Sequence, residues 1–307
     1  MTQPKHISVL QKETIEILDL KNGDIAIDAT LGLGGHSELI LQKITPDGFL
    51  YAFEWDKKNA EFAKKRLKAY EKSCKIIEKN FTNIDDVDQK VDKMLFDIGI
   101  SSVHIDFDTR GFSFKKVNQL DMRMSDQTKL TAYDVVNTYR EEDLARIIYQ
   151  YGEEKQSRKI AREIVHHRKT ETIKTTEDLV KIIEKVKSKG RWGGGHPAAQ
   201  TFQALRIEVN DELGNIRTAL EKAFDLLSTE GIIAVISFHS LEDRIVKNIF
   251  REKAKKCICP QDQIICTCQD RDKYELLTKK PIIPTEEEIQ ENPRSRSSKL
   301  RAIKKIS

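Results

Sequence analysis

The stretch from Ile25 to Ser37, Ile-Ala-Ile-Asp-Ala-Thr-Leu-Gly-Leu-Gly-Gly-His-Ser, constrains the fold more than any other part of the chain. A short apolar run ends on Asp28 and breaks into a turn with glycines at 32, 34 and 35. Helix-compatible residues follow from Ser37 to Gln42. Strand, tight loop and helix make the first half of a nucleotide-binding α/β unit. Glycines lack the Cβ atoms that would hold a ligand away from the backbone. A second apolar run, Phe49 to Phe53, ends in Glu54, where such a unit holds a ribose diol. The bland alternative is a tight βα connection with no ligand, and the position of Glu54 weighs against it.

The identity of the nucleotide turns on the spacing. A dinucleotide fold asks for Gly-x-Gly-x-x-Gly, but Gly32 and Gly34 are followed by Ser37 at the last place. Asp28, four residues before Gly32, instead resembles the first motif of S-adenosylmethionine-dependent methyltransferases. Their sulfonium ligand has no pyrophosphate to seat on a helix N-terminus. A third strand is expected over Lys75 to Glu78, ending at Asn80-Phe81, and a fourth over Val91 to Gly99, ending on Asp97. In an open parallel sheet the ligand crevice lies outside the carboxyl ends of the strands, so Glu54, Phe81 and Asp97 would face it together. Read blandly, Phe81 is core and Asp97 a helix cap.

After Ser101-Ser102 the strand–helix alternation stops. Helical patterns follow over Tyr133–Val136, Glu141–Tyr151, Ser157–His167 and Thr176–Lys187, the last with Thr175 and Asp178 as start signals. This reads as a helical insertion over 105–195 inside a sheet domain formed by 1–104 and 196–307. Thr201 to Leu227 is one long helix or two in series, and Gly231 to Phe238 is a central strand. Ser240-Leu-Glu-Asp243 is read as the cap of the next helix, and Leu300 to Ile306 as a last strand.

Composition narrows the class. With 38% hydrophobic and 33% charged residues the chain reads as a soluble globular protein. It contains no apolar run long enough to span a bilayer, and Met-Thr-Gln-Pro-Lys-His has no signal-peptide core, so a cytoplasmic protein without membrane attachment is expected. A net charge of +4 is compatible with a nucleic-acid partner without requiring one. Five cysteines without a secretory signal argue against a disulfide framework. Cys257, Cys259, Cys266 and Cys268 could form a thiolate metal site, but Cys-x-Cys is tighter than the usual knuckle, so a reduced, partly buried loop is the favoured reading and no metal is expected.

Several blocks, taken in order, resemble one family. They are Asp28-Ala-Thr-Leu-Gly-Leu-Gly-Gly-His-Ser, Asp97-Ile-Gly-Ile-Ser-Ser, Arg110-Gly-Phe-Ser-Phe, Leu120-Asp-Met-Arg-Met, His196-Pro-Ala, Thr201-Phe-Gln-Ala-Leu-Arg-Ile, Ser237-Phe-His-Ser-Leu-Glu-Asp-Arg and Asn292-Pro-Arg-Ser-Arg-Ser-Ser-Lys-Leu-Arg. The family is that of the bacterial ribosomal RNA small subunit methyltransferase H, and the resemblance runs nearly end to end. It implies a Rossmann-like class I methyltransferase sheet with an inserted all-helical domain for substrate recognition. It also implies methyl transfer from S-adenosylmethionine to the exocyclic N4 of a cytidine in small-subunit (16S) ribosomal RNA.

Carried over residue by residue, the family's cofactor contacts fall on Gly34, Gly35, His36, Glu54, Phe81 and Asp97. The family commonly has Asp where this chain has Glu54. It usually continues Ser-Ser-Pro-Gln where this chain has Ser101-Ser102-Val103-His104, so His104 takes the place of a glutamine contact. The chemistry needs an acceptor for an N–H proton of the poorly nucleophilic amine, and Asp97 is the candidate catalytic residue. Arg110, Arg123, Arg191, Arg206, Arg294 and Arg296 are candidate phosphate contacts, with Phe112, Phe114 and Trp192 available to stack on bases. The expected partner is small-subunit ribosomal RNA, alone or in the assembled subunit, and a homodimer stays open. Two other classes share parts of the pattern. A nicotinamide-dependent oxidoreductase lacks support at the third glycine, and a non-catalytic RNA-binding protein would have no use for the acidic strand ends.

Overall fold

A computed structural model of the 307-residue chain describes residues 8–99, 109–187, 196–255 and 273–307. Along the chain, α1 (Gln11–Leu18), β1 (Ile25–Asp28), α2 (Gly35–Ile44), β2 (Phe49–Phe53), α3 (Lys57–Arg66), β3 (Cys74–Ile77) and β4 (Val91–Asp97) come first. Then follow α4 (Ala132–Thr138), α5 (Glu141–Gly152), α6 (Ser157–His167), α7 (Thr176–Val186) and α8 (Ala199–Asn210). The remainder is α9 (Glu212–Leu226), β5 (Leu227–Ser237), α10 (Ser240–Lys253), β6 (Tyr274–Leu276), α11 (Glu286–Glu291) and β7 (Lys299–Lys305). The chain divides into two compact units, one of residues 1–99 with 213–307 and one of residues 100–212.

The first unit is a seven-stranded sheet in the order β3-β2-β1-β4-β5-β7-β6. Strands β3 to β5 are mutually parallel, and β7 runs antiparallel to both its neighbours. Its central strands are apolar on both faces, as helices packed on each side require. Along β4, Met94 and Phe96 enter one core while Leu95 enters the other. Along β5, Ile233 and Val235 face the first core, and Ile232, Ala234 and Ile236 the second. This is the period of two that a pleated strand imposes. Helices α9 and α10 fill the first core through Leu220, Phe224, Val246 and Phe250; α2 and α3 fill the second through Ile40, Leu41, Ile44 and Ala63.

Strand β5 starts at Leu227, four residues ahead of the expected Gly231, because its register against β4 jumps from Val91↔Leu227 to Lys93↔Ile232. Residues 228–231 bulge there, with Glu230 at φ 65°. Order reverses next to β1, where β1 lies between β2 and β4; this is the topological switch at which open α/β sheets bind ligands.

The helical unit has its own core, built from Leu144, Ile147 and Ile148 of α5, Ile160 and Ile164 of α6, and Leu179, Ile182 and Ile183 of α7. Capping boxes start two of its helices. Thr131 and Asp134 exchange bonds ahead of α4, and Thr175 and Asp178 do so ahead of α7, as the sequence led us to expect. The unit ends at Glu212 rather than at 195. The reason is packing: Phe202, Leu205 and Val209 of α8 belong to the helical core, and Asn210 donates to the Met122 carbonyl at 2.8 Å. The long helical pattern after Thr201 is two helices, separated by Asp211 in the left-handed region at φ 47°. The buried ammonium of Lys187 contacts the Glu154 carboxylate and donates to the Pro197 carbonyl at 3.0 Å and to Gln200 Oε1 at 3.2 Å.

Candidate functional site

The site is built from the carboxyl ends of β1, β2, β4 and β5. At the end of β1, Asp28 accepts from the Thr30 N–H at 3.1 Å and from the Ser37 hydroxyl at 2.6 Å, which closes the glycine turn onto the start of α2. Neighbouring strands then stitch the turn down. The Ala29 N–H donates to the Leu95 carbonyl, the Leu31 N–H to the Phe53 carbonyl, and the Asp97 N–H to the Thr30 hydroxyl at 2.6 Å. Gly34 adopts φ 80°, a conformation costly for any residue with a Cβ, and caps α2. A Cβ on Gly35 would collide with the Ser8 side chain. Asp28 and Thr30 thus have bracing roles that the glycine pattern alone does not reveal.

Glu54 faces this turn. One of its oxygens accepts from the Gly32 N–H at 2.9 Å and the other from the Asp56 N–H at 2.8 Å. The Asn59 side chain is a further donor to the carboxylate, which leaves one lone pair for a ligand. Burial, reinforced by the charge of Asp56, pushes its pKa up to about 7 against the pull of the bonds from Asp56, Gly32 and Asn59. Phe81 opens the short 3-10 turn Phe81–Asp86 after β3, half-buried, with its ring edge-on to Phe96 at 6.2 Å. It therefore contributes to the core and keeps an exposed part at the strand ends.

Asp97 ends β4. Its Oδ2 lies 3.6 Å from His36 Nε2, while its Oδ1 is buried with no hydrogen-bond partner. Burial pushes its pKa up to about 8, with the charges of Asp28 and Glu242 adding to the shift. Asp28, 1% exposed, is pushed up to about 6 by the same cause. The sequence-derived residues Gly34, Gly35, His36, Glu54, Phe81 and Asp97 all fall in the sheet unit, at its carboxyl edge. His104, Arg191, Trp192 and the four cysteines from Cys257 to Cys268 lie outside the described residues.

At the end of β5 the expected cap shifts by one residue. His239, not Ser240, is the N-cap of α10, and Glu242 reaches back to accept from the Phe238 N–H at 2.8 Å and the His239 N–H at 3.2 Å. Glu242 is completely buried. The readable signal is a polar residue followed three positions later by Glu, hidden because Ser is the more common cap.

The candidate RNA contacts fare differently. Arg123 is held bidentately by Asp121 at 2.7 and 2.8 Å, and Arg206 by Glu212 at 2.7 and 2.8 Å. Arg110 donates to the Met124 carbonyl and lies over Phe112, which is buried in the helical core. Phe114 stacks on His196 with ring centroids 4.4 Å apart. These blocks hold the helical unit together. Arg294 and Arg296 are exposed in the turn Pro293–Ser297.

The profile of the MraW methylase family matches residues 3–306. The chain belongs to that family. It is 47% identical to a ribosomal RNA small subunit methyltransferase H of Caldicellulosiruptor bescii over 98% of this chain and 99% of that one. Proteins of the same name from Caldicellulosiruptor saccharolyticus and Fusobacterium nucleatum are 48% and 46% identical, each over 98% of this chain, and over 99% and 97% of their own lengths. The family is one of S-adenosylmethionine-dependent methyltransferases. The residues at the strand ends suit that cofactor. The orphaned Asp97 Oδ1 in a buried acidic setting matches a cationic ligand, and Glu54 keeps a lone pair to accept from a diol. Among the described residues no helix is long and apolar enough to cross a membrane.

Proposed function

We propose that this chain transfers a methyl group from S-adenosylmethionine to the exocyclic N4 of a cytidine in small-subunit (16S) ribosomal RNA. One observation carries the reading: 47% identity, across nearly the whole of both chains, to a protein named for small-subunit ribosomal RNA methylation. The restriction to N4 of cytidine comes from the motif resemblance and from the site's chemistry. Bound S-adenosylmethionine supplies an electrophilic methyl group on a sulfonium. Everything else is the work of the protein.

Gly34, Gly35 and His36 form the wall beside the cofactor, Glu54 takes the ribose diol, and Phe81 flanks the adenine; His104 is assigned to the same set. Asp97 stands at the boundary between cofactor and substrate. The lone pair of a cytosine amine is delocalised into the ring, so the nitrogen must be held and pyramidalised before it can attack. Asp97 does this by accepting a hydrogen bond from one N–H while the base is held out of its stack. Cys74, the single cysteine among the described residues, lies on β3 with its thiol pushed up to about 12 by burial. It is unsuited to the covalent chemistry of ring-carbon methylation. The helical unit serves as the substrate-recognition piece.

The test is transfer of label from radiolabelled S-adenosylmethionine to small ribosomal subunits and to naked 16S RNA, followed by nucleoside analysis. Label in N4-methylcytidine is expected. Label elsewhere, or cofactor binding with no labelled RNA, overturns the substrate assignment. Asp97→Asn is expected to lower turnover at saturating cofactor; unchanged turnover with weaker cofactor binding would reduce Asp97 to a binding residue.

A further inference from the structure

Methyl transfer to an RNA base brings the phosphates that flank the target nucleotide to the carboxyl edge of the sheet. A charged backbone there calls for cations that are not already paired. Arg123 and Arg206 do not meet that condition, because Asp121 and Glu212 hold each of them bidentately. Arg294 and Arg296 are placed differently. Both are exposed in the 3-10 turn Pro293–Ser297, and Arg296 has no ion-pair partner among the described residues.

The turn is built to hold them outward. Pro293 opens it, the Ser295 N–H donates to the Asn292 carbonyl at 2.9 Å, and the Ser298 N–H and hydroxyl both donate to the Ser295 carbonyl, at 2.7 and 2.6 Å. Three residues per turn place Ser295 and Ser298 on one line, and both are buried, which leaves Arg294 and Arg296 on the outer side. A turn fixed by its own bonds also lowers the ordering cost of binding. Two ties set its place in the sheet unit. Lys299, two residues past the turn, pairs with Ser237 at the carboxyl end of β5, and Asp97 pairs with Ile236. With strands about 4.8 Å apart, the start of β7 lies about 10 Å from the Asp97 backbone. From the other direction, the Leu10 N–H donates to Glu288 Oε1 of α11 at 2.7 Å, and Ser8 fills the space that a Cβ on Gly35 would take. The turn therefore shares its edge with Asp97 and the glycine turn. Of the acids near it, Asp243 is held by Arg301 at 2.6 Å and Glu288 by Leu10, while Glu291 at the end of α11 is exposed and forms no ion pair with Arg296.

We propose that the turn Pro293–Ser297 is an RNA-backbone clamp belonging to the sheet unit, with Arg294 and Arg296 holding phosphodiesters of the strand that carries the target cytidine. The proposal rests on the methyl-transfer reading above and gives the sheet unit a share in substrate binding beside that of the helical unit. Contacts to phosphate carry no sequence information; they fix the register and orientation of the strand. They also release counterions, so each neutralised phosphate of a single strand adds about 0.7 to the slope with which log affinity falls against log salt.

The test is the salt dependence of binding to naked 16S RNA and to small ribosomal subunits. Arg294→Gln combined with Arg296→Gln should weaken binding to both. The slope should flatten by about 1.4, so that the penalty shrinks about sevenfold between about 50 and 200 mM salt. Replacing both arginines by lysine keeps two point charges and should restore most of the slope. The glutamine variant should keep the native affinity for S-adenosylhomocysteine and the native urea midpoint. A native slope overturns the clamp, and a native slope with altered S-adenosylhomocysteine affinity makes the turn a structural element only. Weaker binding confined to the assembled subunits also overturns it, because the turn then meets protein rather than RNA. Lys21→Gln removes an exposed cation at the opposite, amino edge of the sheet and should leave the slope unchanged; an equal flattening there reduces the effect to bulk charge. If the slopes behave as stated but the native protein labels no cytidine, the methyl-transfer reading fails and the clamp stands.

Discussion

Replacing Asp97 with asparagine should change how the stability of the sheet unit depends on pH. A carboxyl whose folded pKa is raised binds a proton that the unfolded chain has already released, so it lowers stability progressively as pH rises from the unfolded value to the folded one. For Asp97 that window runs from 3.8 to about 8. The whole shift, at about 1.4 kcal/mol per pH unit, sets a ceiling of about 5–6 kcal/mol. Because 22% of the side chain is exposed and water screens it, the ceiling is not reached. Between pH 6 and 8 the unfolded carboxyl is fully ionised and the folded one mostly protonated, which gives a loss of about 2 kcal/mol. An asparagine at this position is neutral throughout and escapes that loss. Trp55, next to Glu54, reports on the sheet unit by fluorescence when Trp192→Phe silences the other tryptophan. Urea unfolding of both ligand-free proteins, with and without Asp97→Asn in that background, should show the wild-type side chain losing about 2 kcal/mol relative to asparagine between pH 6 and 8. Parallel curves over that range, or a wild-type gain, would refute the argument.

Three further expectations concern other parts of the molecule. A cationic ligand favours the ionised form of Asp97, so the affinity for S-adenosylmethionine measured by calorimetry should rise with pH toward about 8 and then level off, more steeply than for the uncharged thioether S-adenosylhomocysteine. Gly34→Ala must hold alanine at φ 80°, at a cost of about 1–2 kcal/mol; denaturant midpoints should fall, while Gly34→Asn, which tolerates the left-handed region, should lose less. Lys187→Met leaves the buried Glu154 carboxylate without its cation, at a cost of about 3–5 kcal/mol to the helical unit, and adding Glu154→Gln should recover most of it in a double-mutant cycle.

What the sequence reveals follows from local chemistry. Strands buried on both faces write uninterrupted apolar runs, so β1, β2 and β4 can be read with their acidic ends, and the glycines mark the turn between β1 and α2. What it conceals depends on packing and pairing that residue types alone do not announce. The apolar spacing of α8 is the same whichever core receives it, so nothing local places the unit boundary at Glu212 rather than 195. Asp211 breaks the helix without the glycine or proline that would announce it. Strand β6 is three residues long, with Glu275 at its centre, too short for a periodic signal. Arg123 and Arg206 look like exposed cations in a tally of charges, and only the fold shows Asp121 and Glu212 against them. His239 escapes notice because Ser240 beside it is a better cap by type, although the pairing with Glu242 is written three residues on.

The placement of the helical unit between β4 and β5 also has a kinetic consequence. These two strands are neighbours in the sheet, yet Val91 pairs with Leu227, so the contact cannot form until the intervening chain has been gathered. Closing so long a loop is entropically costly and slow when the loop is a coil. The intervening helices make their contacts over short separations and need no help from the sheet, so they should condense first and shorten the effective span. Pulsed hydrogen exchange during refolding should then protect the amides of Leu144–Ile148 and Ile160–Ile164 before those of β5. The carboxyl edge of the sheet, which needs β4 and β5 side by side, would be among the last parts of the molecule to form.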